Sequence, residues 1–146
     1  MYKNNKFNFS FILAIVLMIS CTTSNATNYN GYWLDNGMGV VRIGNLKITD
    51  TTITIENEVT YTVTLDKKDG EASIYKVQKH NTKTDPFGCG PESKAHYIIL
   101  QTMPGHTGTS LITIRLTFYG RSTTPVMSTI DDEPGVCAMY SFRRTP

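Results

Sequence analysis

Beyond its first thirty residues the chain repeatedly alternates apolar and polar positions. Thr60-Tyr61-Thr62-Val63-Thr64-Leu65 puts Tyr61, Val63 and Leu65 on one face and threonines on the other. Ile112, Ile114, Leu116 and Phe118 repeat the pattern against Thr113, Arg115 and Thr117. A period of two is that of an antiparallel strand with one face on a core and one in water. Shorter runs at 39–43, 45–49, 52–56, 73–79, 96–102 and 138–143 read the same way. Threonine suits the outer face, because its branched side chain packs on a pleated surface and its hydroxyl tolerates water. No sustained helical period, heptad or internal repeat interrupts this pattern.

Turn residues fall between the runs, with Asp69-Gly70 marking a tight hairpin. Eight or nine short strands predict an all-β fold, either a small antiparallel β-barrel of about eight strands or a sandwich. The barrel is favoured, because closure removes the sheet edges that a small β-protein must otherwise protect. Three segments break the alternation: 80–95, 103–109 and 120–136. They hold five of the six prolines (Pro86, Pro91, Pro104, Pro125 and Pro134) and read as loops. Connections this long in a compact domain often carry function.

Residues 1–26 have the layout of a secretory signal. Lys3 and Lys6 precede the apolar run Phe11–Ile19, which is shorter than the roughly 20 residues a membrane-spanning helix needs. Two cleavage sites compete. Ser24-Asn25-Ala26 permits a cut after Ala26. Met18-Ile19-Ser20-Cys21 resembles a bacterial lipobox, with Met18 where Leu is usual, and implies lipidation at Cys21. The lipoprotein reading is favoured over simple secretion. It places the protein in the bacterial envelope, in the periplasm and anchored by acyl groups. Thr22 lacks the acid that retains lipoproteins at the inner membrane, which points to the outer membrane. Residues 27–146 form a single domain on this reading.

The leader changes the charge balance. The whole chain has 14 Lys and Arg against 12 Asp and Glu, a net charge of +2. Removing Lys3 and Lys6 makes the mature protein neutral, with no basic surplus for nucleic acid or anionic lipid. The three cysteines also resolve. Cys21 is lipidated or lost with the leader, and Cys89 and Cys137 remain as a pair. Export makes their disulfide the expectation. It would staple the 80–95 loop to the start of the last strand.

Gly31-Tyr32-Trp33, at the start of the domain, resembles the G-x-W motif that opens the first strand of lipocalins and related calycin barrels. The resemblance covers these three residues and a basic residue near the chain's end. It implies that Trp33 closes one end of a barrel, with Arg143 or its neighbour Arg144 stacked on the ring as a cation–π partner. Thr117-Phe118-Tyr119 echoes the family's T-D-Y without its Asp.

No residue constellation signals catalysis, so the chain reads as a non-enzyme without a cofactor. His80, His96 and His106 show no metal-ligand spacing. No nucleophile elbow or phosphate loop occurs. Asp66–Glu71 lacks the acids a calcium loop needs at its third and twelfth places. Asp131-Asp132-Glu133 is an acidic cluster on the longest loop, suited to steering a cationic partner. Phe87 and His106, on the other two loops, complete the candidate contact set. The first functional expectation is an envelope protein that binds or inhibits a macromolecular partner, such as a lysozyme, a toxin or another envelope protein. The alternatives are a carrier of a small apolar ligand inside a lipocalin-like barrel, and a structural envelope assembly lipoprotein.

Overall fold

A computed structural model describes residues 28–36, 42–56, 59–90, 93–104 and 111–144. Eight strands run β1 (Gly31–Asp35), β2 (Leu46–Ile48), β3 (Thr52–Ile55), β4 (Val59–Asp69), β5 (Ala72–His80), β6 (Tyr97–Met103), β7 (Ile112–Tyr119) and β8 (Val136–Arg144). Each pairs antiparallel with its neighbours in sequence. The meander closes into a barrel where β1 meets β8, with Leu34 opposite Arg143 and Asp35 opposite Phe142. Closure settles the choice between barrel and sandwich. The closing seam is short: one further backbone bond, from Asn36 N to Ser141 O at 3.1 Å, extends it.

Alternation sets which face is buried. Val59, Tyr61 and Val63 of β4 point inward, as do Ile114, Leu116 and Phe118 of β7. Trp33, Leu46, Ile48, Ile53, Ile55, Ile98, Leu100 and Phe142 complete the interior. Threonines line the outside, and the hydroxyls of Thr54 and Thr60 lie 3.1 Å apart across β3 and β4. That is the cross-strand pairing expected of a solvated sheet face.

Two sequence expectations need correction. Leu65 is in phase with Tyr61 and Val63 yet is 47% exposed. The β4–β5 register shifts between Leu65 and Lys67, and the irregularity re-aims the strand beyond the core. The strand expected at 39–43 is not seen at Arg42 and Ile43, and the rest of it lies outside the described residues. The β4–β5 hairpin turns on Gly70 and Glu71, where the φ of +59° at Gly70 suits glycine.

The barrel has two unlike ends. The β1–β2, β3–β4, β5–β6 and β7–β8 connections lie at the upper end. The lower end has the β2–β3, β4–β5 and β6–β7 connections, together with residues 28–30 and the end of β8. The β7–β8 connection holds a 3-10 helix, η1 (Met127–Asp132), within a segment expected to be loop. It packs on the outer wall. Ile130 is buried with Ala72, Ile74, Tyr97, Ile99 and Tyr119 in a second, smaller core. This explains why Tyr97-Ile98-Ile99-Leu100 is apolar without alternation: both faces of β6 are covered.

Candidate functional site

The lower end is closed by the chain's own start and finish. Trp33 is fully buried and donates its Nε1–H to the Tyr29 carbonyl at 2.8 Å. The Arg144 guanidinium lies 4.1 Å from the centre of the Trp33 ring. Its two terminal nitrogens donate to the carbonyls of Asn30 (2.9 Å) and Asn28 (3.0 Å). The Tyr29 hydroxyl donates to the Glu71 carbonyl, which ties the same segment to the β4–β5 turn. Gly31 makes the crossing possible. Its φ is +126°, and an added Cβ would sit 3.4 Å from Arg144 Nη1.

Arg143, expected from the sequence as a partner for Trp33, does not stack there. It stands opposite Leu34 on the outer face and is exposed, whereas Arg144 shares the inward phase of Phe142. Strand alternation allows only one of two adjacent arginines to face the ring.

The upper end is filled from above by the β5–β6 connection. Asp85 organises that segment. Its Oδ1 accepts from the Tyr61 hydroxyl and, at 3.0 Å, from the Phe87 backbone N–H. Its Oδ2 accepts from the Ala95 N–H at 2.7 Å. Phe87 thereby drops between the strands. It stacks on Phe118 with ring centroids 4.8 Å apart and meets Tyr140 edge-on at 5.6 Å. Phe87, expected to contact a partner, is 5% exposed and belongs to the core. An aromatic side chain this deep fills the interior and cannot touch another protein. Burial raises the Tyr61 hydroxyl well above the ordinary tyrosine range, with the Asp85 contact adding to the effect. Burial also raises Tyr75.

Cys89 and Cys137 form the expected disulfide, with Cα atoms 4.5 Å apart across a sequence separation of 48. It ties the β5–β6 connection to the second residue of β8. Gly120 lies against it, and a Cβ there would fall 2.5 Å from Cys89 Sγ and 2.8 Å from Cys137 Sγ.

The acidic cluster lies on the outer wall, at the end of η1, and its members differ. Asp131 is 2.6 Å from Arg115 Nη1, and Arg115 also donates to Gln101 Oε1 at 2.7 Å. Glu133 accepts from the hydroxyls of Thr129 (3.1 Å) and Tyr119 (3.3 Å). Asp132 is exposed. Two of the three carboxylates are therefore held by the chain itself, which lowers the charge the cluster offers a partner. The structure does not bring Phe87 to this cluster. His106 and Cys21 lie outside the described residues, as does the whole leader.

Among the described residues no three His, Cys, Asp or Glu side chains converge as metal ligands. His80 and His96 both line a groove of about 380 Å³ that also includes Lys79, Lys83 and Lys94. Sequence reasoning missed this gathering, because the lysines lie up to 15 positions apart and on different sides of the loop. It also missed Asp85, although Asp-Pro-Phe carries a signal: an Asp side chain commonly caps the N–H two residues on. Comparison of the chain with family models, curated proteins and solved structures gives no match.

Proposed function

We propose that this is an exported protein of the bacterial envelope that binds a macromolecular partner on its outer surface. The filled interior carries the reading. Trp33, Tyr61, Phe118 and Phe142 are fully buried inside the strands, and Phe87 closes the space above them. Small barrels of eight strands are commonly filled in this way, and a filled barrel offers no chamber for an apolar cargo. Binding then falls to the exterior, where the rigid wall and the stapled connections present fixed side chains at little entropic cost.

Two exterior features support a protein partner. Asp132 presents an exposed carboxylate on η1 beside the Arg115-paired Asp131, suited to a cationic protein such as a lysozyme. Tyr32 and Leu34 on β1 are 64% and 53% exposed, flanked across the sheet by Lys47 and Arg143. An exposed aromatic within a charged rim is a common anchor at protein interfaces.

The test is titration of lysozyme, and of the cell's own envelope extract, with the mature protein. Binding that weakens on joint alanine substitution of Asp131, Asp132 and Glu133 supports the acidic docking face. Binding that survives this change but is lost with Tyr32→Ala and Leu34→Ala moves the contact to β1. Stoichiometric uptake of an apolar dye by the unmodified barrel would overturn the reading in favour of a carrier.

A further inference from the structure

We propose that the groove between the upper end of β5 and the residues leading into β6 binds a small, multiply charged phosphate-bearing ligand. This goes beyond the partner-binding reading and does not depend on it.

The groove arises because β5 outlasts its pairing with β6. The ladder between them ends at Lys76 opposite Tyr97, with one further bond from the Val77 N–H to the His96 carbonyl at 2.9 Å. β5 continues along β4 as far as His80, opposite Tyr61. The β5–β6 connection returns on the other side and leaves a space of about 380 Å³. Its lining includes Lys79, Lys83 and Lys94, the imidazoles of His80 and His96, and Thr82. The Thr82 hydroxyl lies 3.0 Å from His80 Nδ1 and fixes that ring at the rim.

The charge of this lining is one-sided. No carboxylate lines the groove among the described residues. Asp85, the nearest in sequence of the described acids, is turned inward and accepts from Tyr61, Phe87 and Ala95. The ion pairs among the described residues are Lys67–Asp69 and Arg115–Asp131, so none of the three groove lysines is neutralised by one. A mature protein of zero net charge has thus gathered three ammonium groups around one concavity with no counter-ion among the described residues. Their mutual repulsion is relieved when an anion enters.

The donor set indicates the kind of anion. Lysine binds phosphate as a point charge, and no guanidinium fork lines the groove to select a planar carboxylate. The volume is at the small end of the range for small-molecule sites, roughly 300–1,000 Å³. It suits a diphosphate or a phosphorylated headgroup and not a polymer. Two sources share this chemistry: a soluble phosphorylated metabolite and the headgroup of an anionic lipid.

The experiment is calorimetric titration of the mature protein with inorganic pyrophosphate at low ionic strength, alongside sedimentation with phosphatidylcholine vesicles with and without phosphatidylglycerol. The variants are Lys83→Gln/Lys94→Gln and, as a control, Lys67→Gln/Lys68→Gln. All four lysines are exposed, and thermal unfolding verifies that each variant folds. Saturable pyrophosphate binding is expected, weakened about tenfold or more in the first variant and unchanged in the control. Pyrophosphate binding without vesicle binding assigns a soluble ligand. Vesicle binding that requires phosphatidylglycerol and the groove lysines assigns a lipid headgroup. No saturable binding, or equal weakening in both variants, overturns the proposal.

Discussion

Phe87, carried on the connection between β5 and β6, stacks on Phe118 of β7 with ring planes 14° apart. A side chain from outside the sheet thus completes the packing inside it. The contact is held by Asp85, whose carboxylate binds the Phe87 N–H and the Tyr61 hydroxyl together.

Removing that ring should therefore act as a core truncation and not as a surface change. Phe87→Ala is expected to cost about 3–5 kcal/mol in urea unfolding, because a cavity replaces the ring. A loss under about 1 kcal/mol would mean that the ring contributes little to the interior.

Arg144 and Arg143 offer an internal comparison. Arg144→Ala removes a stacked cation and two hydrogen bonds to the carbonyls of Asn28 and Asn30, and should cost about 2 kcal/mol or more. Arg143→Ala, on the solvent face, should change stability by no more than about 0.5 kcal/mol. Equal effects of the two in parallel thermal melts would refute the assignment of Arg144 to the tryptophan.

The disulfide encloses a long stretch of chain. Replacing both Cys89 and Cys137 by alanine should cost about 4 kcal/mol by the loop-entropy argument. Gly120→Ala should oppose formation of the bond, because its Cβ would collide with both sulfurs. Thiol titration of the unfolded Gly120→Ala protein would show free cysteines, and a fully oxidised variant would contradict this.

Alkaline pH should destabilise the fold. Tyr61 and Tyr75 have raised pKa values in the folded state, so the folded protein keeps protons that the unfolded chain releases. Their contribution is complete below about pH 10, the ordinary tyrosine value, and declines as pH rises above it. Midpoints of thermal unfolding should fall across that range, and fall less steeply in Tyr61→Phe. An identical slope in the variant would remove Tyr61 as a source.

Much of the architecture was legible before any coordinates. A period of two is a local property of each strand, so Tyr61, Val63, Ile114, Leu116 and Phe118 declared their inward face from the residues alone. Two cysteines in a chain whose leader reads as an export signal implied the bridge. The register shift that follows Leu65 was not legible, because it depends on the partner strand and not on the sequence of β4 alone.

The candidate sites follow the same division. The sequence by itself determined the all-β class, the alternation of β4 and β7, the tight Asp69-Gly70 hairpin and the presence of an aromatic–arginine pair to seek at the chain's two ends. Only the tertiary structure decided which arginine meets Trp33, that Phe87 fills the barrel and that Lys79, Lys83 and Lys94 share one groove. The reason is physical. Alternation is written in neighbouring residues, whereas the path of a long connection is set by what it finds to pack against and where its polar atoms are satisfied.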